Sequence, residues 1–249
     1  MSRLSIALFG VMAALIVTLG AVAHSADSAD GFVSLFNGKD FSGWIVPEGD
    51  NGHWKIVDGV IDYDAASEAT GEKSLWSEKE YGDFTVRMQW RIKETPFLNP
   101  RVPIVLPSGL HKLAADGKPI TITVPDSDSG LYVRGSSKAQ INIWCWPVGS
   151  GEVYGYRMDA TMSPEVRAGV TPKLNADRNI GEWNDFEITM KGDRLTVVLN
   201  GQTVLDKAQL PGIAAKGKLA LQHHGAKKNG EWTSPPSLVQ FRNITIKEL

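Results

Sequence analysis

Cysteine is nearly absent from this sequence of 249 residues, which contains Cys145 alone. A single cysteine excludes an intrachain disulfide, so the fold must depend on buried apolar side chains. Cys145 itself is expected to be a small buried hydrophobe rather than a nucleophile. A basic excess is also missing, because 26 Lys and Arg stand against 28 Asp and Glu, for a formal charge of −2. This balance argues against nucleic-acid binding, which needs a concentrated basic surface.

A long apolar run occurs once, at the N-terminus. Residues 4–22 form this run behind Arg3, and it ends in the small-residue pattern Ala21-Val22-Ala23. The arrangement predicts a signal peptide over residues 1–26, with cleavage after Ala23 or Ala26. An uncleaved membrane anchor is the alternative, since the run approaches the roughly 18 residues that span a bilayer. Cleavage predicts an exported protein, periplasmic or extracellular, with no stable membrane insertion.

Helical periodicity of useful length is missing after the signal, and short β-rich runs separated by turn residues take its place. The clearest is the hairpin 53–63, in which Asp58-Gly59 joins two β-rich runs. Residues 84–92 alternate strictly between apolar and polar side chains, which predicts a half-buried strand. Many such runs predict an all-β sandwich or barrel, here a single domain over residues 27–249.

Prolines interrupt the strand pattern repeatedly between residues 96 and 126. Because proline cannot donate to a strand ladder, this segment is predicted to be a loop-rich insertion. Such an insertion would either wall one side of a cleft or be disordered decoration, and the sequence leaves both open. Residues 158–178 are predicted to be a second irregular loop.

Residues 126–156 combine strand signals with an unusual number of polar and aromatic side chains. Strand alternation places Gln140, Asn142 and Trp144 on one face and the side chains between them on the core face. Together with Asp128 from the preceding strand, this non-core face carries more functional groups than a solvated strand needs. We therefore predict that it is a binding surface.

Several short motifs carry a family resemblance when they are taken in order. They are Leu35 to Trp44, Tyr81-Gly82-Asp83-Phe84, Asp128 to Arg134, Gly181-Glu182-Trp183-Asn184, Leu221 to Gly225 and Phe241-Arg242-Asn243-Ile244. Each motif is weak alone, but their order and spacing cover essentially the whole chain after the signal. Together they resemble the 3-keto-disaccharide hydrolase domain family. The resemblance implies a two-sheet antiparallel jelly-roll sandwich, similar to concanavalin A, with a sugar-binding concave face that acts on glycosides oxidised at C3.

One strand departs from the family pattern. Where such domains often have Glu-x-Gln-Ile-x-Asp, this chain has Gln140 to Cys145, and both acidic positions are lost. His223 also stands where the family commonly has Asp, beside His224. The lost acids favour an alternative function, namely a non-catalytic glycan-binding jelly roll.

A ketone at C3 acidifies the C2 proton, so cleavage of such a glycoside needs a base and a group that stabilises the enolate. His224 is the candidate base and His223 its rival, unless both are structural histidines at a strand end. Arg134 is the candidate enolate or hydroxyl partner, or else an ion-pair partner of Asp128 or Glu152. Ordinary hydrolysis by two carboxylates is the alternative route, for which Asp128 and Glu152 are the candidate acids.

Sugar binding requires aromatic rings that stack on the pyranose and amides that hold its hydroxyls. The candidates are Gln140, Asn142, Trp144, Tyr154, Trp183 and Asn184. Core packing is the alternative for each aromatic side chain. The sequence thus predicts a carbohydrate partner and no cofactor. It leaves a divalent metal open, although Asp126-x-Asp128-x-Gly130 lacks the later ligands of a calcium loop.

Overall fold

The computed structural model describes residues 30–249, so the predicted signal peptide lies outside the described residues. The strands are β1 (Val33–Ser34), β2 (Trp44–Ile45), β3 (Trp54–Val57), β4 (Val60–Tyr63), β5 (Leu75–Tyr81), β6 (Phe84–Ile92), β7 (Phe97–Pro103), β8 (Thr121–Asp126), β9 (Asp128–Val133), β10 (Ser136–Trp144), β11 (Asn184–Lys191), β12 (Arg194–Leu199), β13 (Gln202–Gln209), β14 (Gly217–Leu221), β15 (Ala226–Lys228), β16 (Glu231–Ser234) and β17 (Val239–Glu248). The helices are α1 (Tyr154–Arg157) and α2 (Pro164–Gly169). Within residues 30–249, no helix is long and apolar enough to cross a bilayer.

Most strands form two antiparallel sheets that pack face to face. The large sheet has the order β13-β12-β11-β6-β17-β4-β3, with β1 added alongside β17, and the small sheet has the order β10-β9-β14-β5-β2. Fully buried side chains such as Phe84, Ile188, Leu131 and Leu219 fill the space between them. This arrangement confirms the predicted all-β jelly-roll sandwich.

The strand predictions with the clearest sequence signals are confirmed. β6 covers residues 84–92, as its strict alternation predicted, and it lies at the centre of the large sheet between β11 and β17. β3 and β4 form the predicted hairpin, in which Asp58 and Gly59 both take positive φ, as a tight two-residue turn requires.

The proline-rich segment is not the loop-rich insertion that the sequence predicted. β7 and β8 pair with each other as a separate two-stranded ribbon, and two isolated bridges continue it beyond Pro103. Each strand of a ribbon keeps one unpaired edge, so Pro100 and Pro125 can be accommodated without breaking a central ladder. The prediction of an irregular loop over residues 158–178 also missed α2, in which Ser163 caps the helix and Pro164 begins it.

Candidate active site

The outer face of the small sheet brings together the polar side chains that the sequence analysis placed on one surface. β10 and β9 pair so that Gln140 lies opposite Tyr132, and Trp144 lies opposite Asp128. On the other side of β9, Gln222 continues the pairing of β14 by donating its backbone N–H to Gly130 O, at 2.9 Å. Three adjacent strands therefore present their polar side chains to the same region.

Gly130 makes room for the amides at the centre of this face. A Cβ at this position would lie 2.6 Å from Ile141 O and 2.8 Å from Cγ of Gln140. Without that Cβ, the Gln140 side chain crosses β9, donating to Ser129 O at 3.0 Å and to Oε1 of Gln222. Glycine is thus needed at position 130 for close packing rather than for an unusual backbone conformation.

Aromatic groups flank the amides on the same face. The Tyr132 hydroxyl is hydrogen-bonded to the side chains of Gln222 and Ser74, and burial is the main cause that raises its pKa to about 12. The Trp76 ring packs against Tyr132 with centroids 5.7 Å apart and remains partly exposed. Trp76 is the partly exposed ring that a sugar on this face could contact.

Asp128 and His224 form the titratable pair of this face. His224 Nε2 lies 3.9 Å from Asp128 Oδ2, and the two side chains are 34 % and 22 % exposed. Burial is the main cause that raises the pKa of Asp128 to about 6, while the charge of His224 and the Gln140 amide lower it. Among residues 30–249, Asp128 Oδ1 finds no hydrogen-bond partner. The carboxyl group can therefore hold or release a proton near neutral pH.

The tautomer of His224 follows from its other ring nitrogen. Nδ1 lies 2.5 Å from the carbonyl oxygen of Pro235. A carbonyl oxygen only accepts, so Nδ1 must carry the proton of the neutral imidazole. Nε2 then holds the free electron pair, on the side that faces Asp128.

His223, which like His224 follows the end of β14, turns its ring towards Tyr63 rather than towards Asp128. Its Nδ1 contacts the hydroxyl of Tyr63 at 2.6 Å, and Tyr63 is fully buried and stacked on Trp54. Burial is the main cause that lowers the pKa of His223 to about 4. His223 is therefore held as a neutral, structural histidine, and the geometry does not support it as a rival base.

Arg134 lies far from the pair of Asp128 and His224. It lies at the far end of β9, about 20 Å along the strand from Asp128 at the rise of an extended chain. Its guanidinium is buried, donating to Asp83 Oδ1 at 3.0 Å and to Ala214 O at 2.7 Å. The ion-pair alternative was closer to the structure, but the partner is Asp83 rather than Asp128 or Glu152. The geometry does not support the role in enolate binding.

Glu152 is buried beside β10 and is not exposed on the outer face of the small sheet. Its side chain is fully buried in a salt bridge with Nε of Arg157, and Arg157 Nη1 also contacts His111 Nε2 at 3.0 Å. Burial is the main cause that raises the pKa of Glu152 to about 7, and the charge of Asp128 raises it further. Because Glu152 is fully buried, the geometry does not give it contact with a sugar.

Trp144 is also less available than the sequence suggested. Its ring is 4 % exposed, stacks on Trp146 with centroids 4.1 Å apart, and donates from Nε1 to Gly149 O. Tyr154, 40 % exposed, meets the edge of Trp144 with centroids 6.1 Å apart. The geometry supports packing for Trp144 and leaves Tyr154 and Trp146 as the accessible rings of this cluster.

The remaining predicted residues lie elsewhere. Asn142 is buried, and its backbone pairs with the segment that carries Glu152. Asn184 is buried against Asn200 and lines a cavity of about 280 Å³ at the end of the sandwich, as Trp144 does. Trp183 lies on the outer face of the large sheet, against the guanidinium groups of two arginines. Of the predicted substrate-binding set, Gln140 is thus the residue whose side chain interacts with the Asp128 carboxyl group, whereas Trp144 is the ladder partner of Asp128 and packs on Trp146.

Sequence reasoning missed several residues of this face. Trp76 and Ser74 lie on or next to β5, a strand whose mixed sequence gives little alternation. Gln222 stood within a family motif, but its role depends on the packing around Gly130. Within the described part of the chain, no three His, Cys, Asp or Glu side chains are grouped as a metal site would require.

Comparison with solved structures supports the fold. A candidate glycosyl hydrolase from Parabacteroides distasonis is 20% identical, with a TM-score of 0.56 over 88% of this chain and 84% of that one. A second such protein from the same organism is 19% identical, with a TM-score of 0.55 over 92% of this chain and 98% of that one. At these identities the likeness concerns the fold alone. No curated protein matches the sequence.

A family model gives the more specific result. The model for the 3-keto-alpha-glucoside-1,2-lyase-like domain matches residues 31–247, nearly the whole described chain. The match includes every motif on which the family resemblance rested, from Leu35 to Ile244. The chain therefore belongs to the family of 3-keto-alpha-glucoside-1,2-lyase-like domains.

Proposed function

We propose that this protein is an exported enzyme that cleaves 3-keto-glycosides by acid–base chemistry on the outer face of the small sheet. Family membership supports a carbohydrate-active protein. The observation that carries the reaction type is the pair of Asp128 and His224, which sets a partly exposed imidazole nitrogen 3.9 Å from a carboxyl group of raised pKa. Export is supported by the signal-peptide pattern of residues 1–26.

His224 is the base in this proposal. Its Nε2 electron pair would take the proton from C2 of the sugar, and the electrons of that bond would form an enolate with the C3 carbonyl. Partner groups for the enolate oxygen on this face are the amide of Gln222, which Gln140 orients through its bond to Oε1, and the hydroxyl of Tyr132, which stays protonated because its pKa is about 12. These groups would stabilise the enolate oxygen, a role that the geometry does not support for Arg134.

Asp128 is the acid in this proposal. When the enolate collapses, C3 regains its carbonyl, a C1–C2 double bond forms and the C1–O bond breaks. The departing oxygen needs a proton, which a carboxyl group of pKa about 6 can supply near neutral pH. Addition of water across C1–C2 then gives the free 3-keto sugar, so lyase and hydratase steps together amount to hydrolysis.

The structure supports this route better than hydrolysis by two carboxylates. That mechanism needs both acids in contact with the sugar, whereas Glu152 is fully buried against Arg157. A non-catalytic glycan-binding module is the second candidate. The loss of both family acids, at Gln140 and Cys145, favours this alternative. The Cys145 thiol cannot replace the lost acid, because burial raises its pKa to about 12 and leaves it inert.

Turnover of matched substrates tests the proposal. Purified protein should release free sugar from 3-keto-trehalose but not from trehalose, because only the ketone acidifies the C2 proton. The released sugar can be measured by chromatography across pH 5–9, with and without added divalent metals. Glycan binding without release under every condition would instead establish the binding module.

A further inference from the structure

The segment Pro235-Pro236-Ser237 joins the two halves of the proposed acid–base pair. Ser237 Oγ accepts from the backbone N–H of His224 and lies 2.9 Å from the carbonyl oxygens of both Asp128 and His224. The Ser237 backbone N–H also donates to His224 O, at 2.9 Å. Ser237 is 1 % exposed, so solvent does not replace these bonds.

These contacts have no counterpart in the strand ladders. Asp128 begins β9, and His224 lies beyond the last residue of β14. The β15–β16 hairpin leaves the sheet after His224 and returns at Pro235, so the segment closes the base of that hairpin. Ser237 thus connects Asp128, the first residue of β9, whose ladder partner is Trp144 of β10, with His224, which lies outside the ladder beyond the end of β14. Sheet pairing alone does not connect these two residues.

The neighbouring carbonyl sets the chemistry of the imidazole. Pro235 O accepts from Nδ1 of His224 and thereby selects the tautomer in which Nε2 is the base. Proline has no backbone N–H, so in this turn the Pro235 backbone offers the imidazole an acceptor and no donor. The same segment therefore fixes the position of His224 through Ser237 and the tautomer of its imidazole through Pro235.

We propose that Ser237 is a positioning residue for the Asp128–His224 pair: its hydroxyl holds the backbones of both residues so that Nε2 of His224 faces the carboxylate in the Nδ1–H tautomer. This inference rests on the function proposed above. Ser237 is buried and so is not exposed for contact with a substrate. It acts through His224, whose imidazole contacts Pro235, two residues before Ser237.

Ser127 offers a matched control. Its hydroxyl is also fully buried and donates to the same segment, to Pro236 O at 2.6 Å. In the described structure the Ser127 hydroxyl makes no hydrogen bond to the backbone or the side chain of Asp128 or His224, whereas the Ser237 hydroxyl bonds to both backbones. Ser127→Ala and Ser237→Ala therefore each remove one buried serine hydroxyl from this segment, and only the second loosens the pair.

The primary test is nitrogen-15 NMR of the His224 imidazole, assigned by loss of its signals in His224→Ala. Wild-type protein at alkaline pH, where the imidazole is neutral, should show the Nδ1–H tautomer. Ser237→Ala should give a mixture of the two tautomers, while Ser127→Ala keeps the wild-type signals. A wild-type imidazole in the Nε2–H tautomer would overturn the inference without any variant, as would wild-type signals in Ser237→Ala.

Kinetics on 3-keto-trehalose provides the second test. Misplacement of a reacting group by about 1 Å costs on the order of a hundredfold in rate. Ser237→Ala should therefore lower kcat by about tenfold to a hundredfold with little change in KM, and Ser127→Ala should match wild type in both. Equal effects of the two variants would reduce Ser237 to a structural role. Absence of turnover in wild type would refute the proposed function, whereas the NMR result would still decide on the positioning.

Discussion

The outer faces of the two sheets are both polar, but they differ in how completely their polar side chains are paired with one another. On the large sheet, side chains directly opposite each other are paired, as in Arg87 with Glu187 and Gln89 with Asp185, each at 2.7 Å. Arg242 adds a bond of 2.8 Å to Gln89 from the neighbouring strand. Exposed pairs of this kind contribute little to stability and leave few groups free for a ligand.

The small-sheet face carries the opposite pattern. Asp128 keeps an oxygen for which the described chain offers no partner, and its pKa is raised to about 6 by burial. Its neighbour His224 keeps Nε2 free because Nδ1 is occupied by Pro235. Incomplete pairing and a perturbed pKa are typical of a functional face rather than a merely solvated one, and alternation along the strands cannot show this difference.

Removal of one carboxylate from each outer face should give the largest difference between the two faces, measured as the effect on kcat. Asp128→Asn removes the proposed acid and should lower kcat on 3-keto-trehalose by about 10²–10⁴-fold, the usual range for general acid–base groups. Asp185→Asn makes the same change on the large-sheet face and should leave kcat within about twofold, since its loss affects an exposed cross-strand pair. Comparable losses in both variants would remove the functional distinction between the faces.

Arginine truncation compares a buried pair with an exposed one. Arg157→Met leaves the fully buried Glu152 without its partner and should lower the free energy of unfolding by about 3–5 kcal/mol at pH 8. The loss should shrink at pH 5, where Glu152, whose pKa is already about 7, takes up a proton. Arg87→Met should cost at most about 1 kcal/mol at either pH. Urea unfolding at both pH values measures these differences, and a loss independent of pH would contradict the buried-charge explanation.

The pH dependence of stability gives the smallest expected effect. The pKa of Asp128 is higher in the folded protein, about 6, than in the unfolded chain, so the folded state binds its proton more tightly. The stabilisation from this site is full below about pH 4 and is lost as pH rises to about 6. Asp128→Asn should therefore flatten the fall in unfolding free energy over this window by about 3 kcal/mol at most. The fall should not vanish, because Glu152 contributes in the same direction up to about pH 7.

The fold was predictable because its main signals are local. The alternation of residues 84–92 and the Asp58-Gly59 turn each specify their element with few neighbours involved. The proline-rich ribbon was missed for a physical reason, since a two-stranded ribbon tolerates residues that a central strand excludes. The β5 strand was missed because three consecutive charged residues, 78–80, interrupt the alternation of apolar and polar side chains that marks a strand.

The site was only partly predictable, because a residue's partner decides its role. Alternation identified the face of Gln140, and histidine chemistry pointed to His224. The partner of Arg134 is 51 residues distant in sequence, and no local pattern connects it to Asp83. The contrast between His223 and His224 likewise depends on Tyr63, which is 160 residues from His223, and on Pro235, which lies across the β15–β16 hairpin from His224.

The central claim is that His224 removes the C2 proton of a 3-keto-glycoside on the small-sheet face. The most direct measurement is the rate of sugar release from 3-keto-trehalose carrying deuterium at C2, compared with the protonated substrate, for wild type and His224→Ala. Wild type should turn over the deuterated substrate several-fold more slowly, and His224→Ala should release almost no sugar from either. Equal rates on both substrates, or full activity in His224→Ala, would contradict the assignment of this base to this step.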